Sequence, residues 1–288
     1  MKEYLSLVKF SHTIFALPFA LVGYFLAVND PRYYFDWQSL GLVLLCMIFA
    51  RNAAMAFNRY IDRDIDAANP RTAVREIPAG VLKADSVLLF VVANCALFIG
   101  TTYFINSLCF YLSPVALLIT LGYSLTKRFT ALCHVILGLG LSLAPIGAYL
   151  SVTGSFDLVP VLYGIAVLFW VAGFDIIYAL QDYDIDKSLK LRSTPVWLGK
   201  SNALILSSVF HLATTSAMLY AAYLASASFA TLGYTHLVGL AIFLCLLFYQ
   251  HTLVKVDDLS KVNMAFFTTN GLASVIFGAL MIVDLYLI

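Results

Sequence analysis

The sequence predicts an all-α polytopic membrane protein with nine transmembrane helices, and three observations support this. Hydrophobic residues make up 62% of the 288 residues and charged residues only 11%, whereas a soluble domain carries about 25% charged residues. The hydrophobic residues fall into nine stretches, each close to the length that crosses a bilayer. The formal net charge is only +1, which argues against a nucleic-acid partner. The lipid bilayer is therefore the expected surroundings for most of the chain.

The predicted helices follow one another closely, joined by short polar or basic segments. The boundary between the third and fourth helices is placed from Asn106, Ser107 and Pro114. The nine helices are predicted over residues 12–29, 39–61, 86–106, 108–126, 131–151, 158–181, 202–225, 235–252 and 264–287. We expect them to form one domain over residues 1–288. The five cysteines lie scattered in apolar stretches without metal-ligand spacing, so they are expected to be small packed residues.

The basic residues predict the orientation of this bundle. With the N-terminus in the cytoplasm, 15 of the 17 lysines and arginines fall on the cytoplasmic side, while Arg32 falls on the other side and Arg51 within a helix. Such a bias is the main sequence determinant of membrane topology. The 15 residues are Lys2, Lys9, Arg59, Arg63, Arg71, Arg75, Lys83, Lys127, Arg128, Lys187, Lys190, Arg192, Lys200, Lys255 and Lys261.

Two acidic clusters lie at helix ends on the predicted cytoplasmic side. Asn58, Asp62 and Asp66 share one helix face, and Asp182 and Asp186 repeat the same spacing. Like charges four residues apart destabilise a helix unless a cation lies between them. Mg²⁺ prefers a few carboxylates together with phosphate oxygens. The five residues are therefore predicted to hold Mg²⁺ against a diphosphate; the alternative is that they are solvated helix ends.

Further residues around these clusters are candidates for catalysis and substrate binding. Asp175 lies two turns before Asp182 on the same face and is taken as a catalytic candidate. Arginine forks and lysine point charges suit phosphate oxygens. The diphosphate-binding candidates, beside Asn58, are Arg71, Arg75, Tyr123, Lys127, Arg128, Lys187 and Arg192.

Arg51 lies inside the second predicted helix, two turns before Asn58. A guanidinium at that depth needs an anionic partner. That partner is either a structural carboxylate such as Asp175 or the carboxylate of an aromatic acid substrate. The histidines, in contrast, are predicted to be packed or interfacial because they lie on separate helices: His12, His134, His211, His236 and His251.

These motifs resemble those of the UbiA superfamily of intramembrane prenyltransferases. The run from Asn58 to Asp66 is similar to its N-x-x-x-D-x-x-x-D signature, and the run from Asp182 to Asp186 to its second D-x-x-x-D motif. Tyr123-x-x-x-Lys127 resembles its Y-x-x-x-K element. One departure is Arg59, where many members have Asp. The sequences around Arg51 and Arg71 are most similar to members that prenylate 4-hydroxybenzoate and to their relatives in menaquinone synthesis.

The resemblance implies a nine-helix bundle around a central cavity in the cytoplasmic membrane, with a Mg²⁺-dependent active site facing the cytoplasm. The expected activity is transfer of a polyprenyl group from polyprenyl diphosphate to a small aromatic acid, as in quinone biosynthesis; no protein partner is predicted. Two alternatives stay open. One is a different acceptor, such as dihydroxynaphthoate. The other is an ion-coupled transporter, although transporters place such acids near the midplane of the bilayer.

Overall fold

The computed structural model describes residues 2–8, 13–229 and 231–286, so Lys9 and His12 lie outside the described residues. Within these ranges the secondary structure is helical, apart from one isolated bridge between Lys255 and Asp258. The α-helices are α1 Lys2–Leu7, α2 Thr13–Val28, α3 Trp37–Ile61, α4 Arg63–Ala68, α5 Ala84–Tyr103, α6 Ser107–Thr126, α7 Cys133–Thr153, α8 Leu158–Ala179, α9 Tyr183–Ser188, α10 Thr194–Leu198, α11 Lys200–Ser228, α12 Thr235–Leu253 and α13 Asn270–Tyr286. A 3-10 turn, Leu180–Asp182, joins α8 to α9, and a π-helix, Met264–Thr269, precedes α13.

The predicted all-helical membrane fold is confirmed. In the described part of the chain, eight helical segments are long and apolar enough to cross a membrane. The ninth apolar helix, α2, is shorter at 16 residues and contains Pro18. The predicted boundaries agree with the observed ones to within a few residues, except at residues 181–188, where the sixth span continues through the 3-10 turn into α9.

The helix α8 forms the centre of the bundle. It packs against α7 on one side and α11 on the other, and α2 packs against both α7 and α13. The largest core cluster gathers buried aromatic rings from these helices, including Phe19, Trp170 and Phe277. Small residues let the backbones approach, as is usual between membrane helices. A Cβ on Gly138 of α7 would lie only 2.2 Å from the carbonyl oxygen of Leu168 in α8.

Two aspartates occupy equivalent breaks at the same end of the bundle. Asp62 ends α3 with φ −90° and ψ 5°, and the six-residue helix α4 follows. Asp182 ends the 3-10 turn with φ −97° and ψ 3°, and the six-residue helix α9 follows. This bridge region of backbone space is sparsely populated and is frequent at active sites. Asn58, Asp62 and Asp66 are predicted to share one helix face, and in the structure α3 ends just before Asp62 while α4 begins just after it.

The break nevertheless preserves the four-residue spacing. The backbone N–H of Asp66 donates to the carbonyl oxygen of Asp62 at 2.7 Å, and that of Asp62 donates to Asn58 at 3.0 Å. The chain thus keeps a helical path through the break, which brings the side chains of the first motif to the same end of α3.

Candidate active site

The carboxylate of Asp62 is almost completely buried and is shared by two cations. Lys127 Nζ lies 2.8 Å from Oδ2, and Arg128 Nη2 lies 3.0 Å from Oδ1. Asn58 Nδ2 also donates to Oδ2, at 3.1 Å. Buried charges require such partners. The end of α3 and the segment after α6 are therefore joined through one side chain.

The carboxylate of Asp66 is held by Arg75. Arg75 Nη1 lies 2.6 Å from Asp66 Oδ1, and the Asp66 side chain is only 5% exposed. Its other oxygen, Oδ2, is buried and accepts no hydrogen bond from the described residues. Leaving a buried carboxylate oxygen without a donor is costly, so this atom is suited to receive a cation.

The second motif is attached to the loop that follows the first. Arg71 Nε and Nη2 donate to Asp182 Oδ1 and Oδ2 at 3.1 and 2.6 Å, a two-pronged arrangement, and Asn69 Nδ2 donates to Oδ1 at 3.0 Å. Burial works against the Arg71 charge, but the hydrogen bonds and the charge of Asp182 outweigh it and raise the pKa of Arg71 above its ordinary value. The two acidic helix ends therefore lie side by side.

A large apolar cavity of about 510 Å³ begins beside this charged end. Its lining reaches from Tyr123 and Tyr178, near the acidic motifs, to Cys109 and Phe156 towards the opposite ends of the helices. Tyr178 connects the two regions, because its ring lines the cavity while its hydroxyl accepts a hydrogen bond from Arg71 Nη1 at 3.1 Å. The site thus combines a charged end with an apolar chamber.

Arg51 and Asp175 both line the cavity, but they do not form the ion pair that was one of the two alternatives for Arg51. Asp175 Oδ2 lies 2.6 Å from Nδ1 of His134, and Arg51 Nη2 donates to the carbonyl oxygen of Val8 at 3.2 Å. His134 is predicted from the sequence to be packed or interfacial. The structure shows it buried and also hydrogen-bonded to the carboxylate of Asp175, which lines the cavity.

The remaining candidates lie at the edge of the charged end. Asp186 is buried on α9, whereas the exposed Lys187 has its Nζ 5.8 Å from the centre of the Tyr183 ring. Arg192 binds the loop after α6, because its backbone N–H donates to Lys127 and its Nη1 donates to the Phe129 carbonyl. Lys187 is therefore not brought to the acidic residues, and Arg192 contacts the backbone of the segment that carries Lys127.

The five predicted metal ligands fit a divalent cation in chemistry. They supply carboxylate and amide oxygens, the donors that Mg²⁺ prefers, and the buried Oδ2 of Asp66 has no donor among the described residues. In the described ranges, no three His, Cys, Asp or Glu side chains already converge as a metal site, and the acids contact Lys and Arg instead. The metal-ligand assignment therefore stays a prediction.

Comparison with known proteins identifies the family of this chain. Residues 16–272 match the UbiA prenyltransferase family. The chain belongs to this family. It is similar to 4-hydroxybenzoate octaprenyltransferase of Tolumonas auensis, with 29% identity over 85% of this chain and 84% of that protein.

Solved structures of other family members have the same fold. The apo structure of a UbiA homolog from Aeropyrum pernix K1 superposes with a TM-score of 0.84 and 32% identity, over 95% of this chain and 98% of that one. A UbiA homolog from Archaeoglobus fulgidus bound to GPP and Mg²⁺ superposes with a TM-score of 0.75 and 24% identity, over 98% of this chain and 99% of that one. The second likeness is evidence for the fold alone.

Sequence reasoning missed Asn69 near the site, and it did not predict the contacts that His134 and Arg59 make there. Asn69 precedes a proline in a loop and carried no signal for its bond to Asp182. His134 could have been noticed as an ionisable residue in a membrane helix, a type that is usually functional. Arg59, the departure from the family pattern, is buried with only 6% exposed, and its Nη1 donates to Asn58 Oδ1 at 3.5 Å.

Proposed function

We propose that the protein transfers a polyprenyl group from polyprenyl diphosphate to an aromatic acid such as 4-hydroxybenzoate, with Mg²⁺, at the cytoplasmic side of the membrane. The observation that carries the proposal is the junction of a charged end and an apolar cavity at Tyr123 and Tyr178. A prenyl diphosphate has the same two parts, a polyanionic head and a hydrocarbon tail. The relatives named for this reaction support the choice of acceptor.

The acidic and basic residues of the site have different proposed roles. Asp62, Asp66, Asp182 and Asp186, with Asn58, would hold Mg²⁺, which when bound supplies charge neutralisation for the leaving diphosphate. The cations that now contact these acids are Arg71, Arg75, Lys127 and Arg128. They are placed to bind phosphate oxygens.

The cavity serves the hydrocarbon part of the reaction. Its lining is almost entirely apolar, so it excludes water from the allylic centre that forms when diphosphate leaves. The rings of Phe174, Tyr178 and Tyr123 face this chamber and attract positive charge through their π-faces. Arg51, in the same lining, offers a partner for the carboxylate of the acceptor.

The orientation of the site rests on the distribution of charge. The acidic motifs and the cations that contact them lie in segments predicted to be cytoplasmic from the positive-inside rule. A soluble prenyl diphosphate head and an aromatic acid would both reach the site from that side. Cysteine-labelling of single-cysteine variants in intact cells would test this orientation.

The activity is tested with the purified protein in lipid nanodiscs, supplied with a polyprenyl diphosphate, Mg²⁺ and either 4-hydroxybenzoate or dihydroxynaphthoate. Mass spectrometry is expected to detect the ring-prenylated acid. The expected product is lost in Asp62→Asn and kept in the matched variant Asp64→Asn, whose carboxylate is 88% exposed. If prenylated product forms with dihydroxynaphthoate but not with 4-hydroxybenzoate, dihydroxynaphthoate replaces 4-hydroxybenzoate as the proposed acceptor. Ion-driven solute uptake without prenylated product would instead support a transporter.

A further inference from the structure

Asp175 and His134 form a hydrogen-bonded pair at the wall of the cavity. Asp175 lies on α8 and His134 in the first turn of α7, and their Oδ2 and Nδ1 atoms are 2.6 Å apart. His134 is buried with 4% exposed, whereas Asp175 is partly open to the cavity. The pair therefore presents a carboxylate to the chamber with a histidine behind it.

The hydrogen bonding indicates which ring nitrogen of His134 donates to Asp175. Nδ1 faces a carboxylate and must carry its proton, while Nε2 is buried and contacts no hydrogen-bonding atom among the described residues. Nδ1 is therefore assigned as the donor of the hydrogen bond to Asp175. Asp175 accepts this hydrogen bond at Oδ2, which orients its carboxylate.

Asp175 differs from the other acids of the site in its partner. Asp62, Asp66 and Asp182 contact lysine or arginine, and these cations compete with a proton for the carboxylate oxygens. Asp175 contacts a histidine and no lysine or arginine, and it is the one acidic residue among the described residues that line the cavity. Its Oδ1 accepts no hydrogen bond from the part of the chain that the structure describes.

A second histidine–aspartate pair at the other end of the bundle shows what a purely structural pair is like. His236 Nδ1 lies 2.7 Å from Asp284 Oδ2, but both oxygens of Asp284 also accept backbone N–H bonds, from Thr235 and His236. Asp284 thus links the start of α12 to the end of α13, and both of its carboxylate oxygens accept hydrogen bonds there. Asp175 has no backbone donor at all among the described residues.

We infer that Asp175 is the base that removes the ring proton in the prenyl transfer, and that His134 is the residue that positions it. The inference rests on the proposed function. The ring carbon forms a bond to C1 of the prenyl group as the C1–oxygen bond breaks, and the electron pair of that bond leaves with diphosphate. Asp175 Oδ1 then takes the proton from the same ring carbon, and the electrons of the C–H bond restore the aromatic ring.

The test measures an isotope effect with an acceptor deuterated at the ring position that is prenylated. In the unchanged protein, proton removal follows the slow step, so kcat is expected to be the same for both acceptors. In Asp175→Asn, kcat is expected to fall about 100-fold or more. The deuterated acceptor should then react more slowly than the protonated one, with KM little changed for both substrates.

Variants of His134 separate positioning from packing. His134→Asn keeps a donor near the place of Nδ1 and is expected to restore most of the activity that His134→Leu loses. His134→Leu should show a smaller loss than Asp175→Asn, with the same isotope effect. Thermal unfolding in detergent verifies that each variant is folded, and if Asp175→Asn does not fold, this pair of His134 variants gives the same readout. Asp284→Asn is the matched control and should show no isotope effect.

The experiment separates failure of the proposed function from failure of the assignment of Asp175 and His134. Absence of ring-prenylated product from the unchanged protein would overturn the proposed function and this assignment together. Product from the unchanged protein, with variants of Asp175 and His134 that show no isotope effect, would overturn the assignment alone. Equal activity of His134→Leu and His134→Asn would overturn the positioning role of His134.

Discussion

Lys127 reaches back across 65 positions of the chain to place its Nζ 2.8 Å from Oδ2 of Asp62. Arg128 approaches the other oxygen of the same carboxylate at 3.0 Å. The carboxylate side chain is 3% exposed, whereas Lys127 is 26% exposed. The lysine is therefore more accessible than the acid. This asymmetry makes Lys127 the member of the pair that a diphosphate head group can contact.

We expect Lys127→Met to weaken binding of the prenyl diphosphate. Lost hydrogen bonds to a charged group cost about 1.5–3 kcal/mol, so the apparent KM should rise roughly 10- to 100-fold. Asp62 keeps Arg128, so the folded state should survive. Initial rates against prenyl diphosphate concentration check this. Lys83→Met, which removes an exposed lysine at the start of α5, is the control and should leave KM unchanged. An unaltered KM in Lys127→Met would contradict the assignment.

Arg192 and Lys187 looked alike in the sequence but lie in different surroundings. Arg192 donates to the carbonyl of Phe129, in the loop that carries Lys127 and Arg128, whereas Lys187 lies over the Tyr183 ring. We expect Arg192→Gln to loosen that loop and raise the KM for prenyl diphosphate by about fivefold, from about 1 kcal/mol.

The matched variant Lys187→Gln should change the same KM by less than about twofold, because an exposed charge contributes little. Both constants come from one titration with prenyl diphosphate at fixed acceptor. A larger rise in KM for Lys187→Gln than for Arg192→Gln would contradict this prediction and support the assignment of Lys187 to substrate binding.

Sequence patterns predicted the helices well because their lengths are set by the bilayer. The four-residue spacing of aspartates and the neighbouring cations also predicted which residues gather at one end. The ion pairs within that end could not be predicted. Asp62 contacts Lys127 and Arg128 while Arg75 contacts Asp66, and the conformation of the loops decides this. The bond between His134 and Asp175 depends on how α7 is rotated against α8, and no local pattern reports that rotation.

Arg51 is expected to recognise the carboxylate of the acceptor. It lines the cavity and contacts the Val8 carbonyl through Nη2. Arg51→Met keeps an apolar side chain of similar reach and removes the charge. We expect kcat/KM to fall about 10- to 100-fold with 4-hydroxybenzoate, and to change little with phenol, which lacks the carboxylate. Parallel assays with the two acceptors measure the difference. Equal losses with both would assign Arg51 to holding the segment around Val8 instead.

The close approach of α7 and α8 at Gly138 should be visible in stability. A Cβ at Gly138 would lie 2.2 Å from the Leu168 carbonyl oxygen, and backbone cannot move aside as a flexible side chain does. Gly138→Ala is therefore expected to lower the free energy of unfolding by about 1–3 kcal/mol, the usual cost of overpacking. It should also displace α7, which carries His134, relative to α8.

Gly147 on the same helix is the matched control, because a Cβ there would meet no atom within 4 Å. Since alanine favours helix by up to about 1 kcal/mol over glycine, Gly147→Ala should unfold at the same temperature as the unchanged protein or slightly above it. Thermal unfolding of both variants in one detergent compares them directly. If Gly138→Ala were as stable as Gly147→Ala, the contact between α7 and α8 would be looser than the glycine at that crossing indicates.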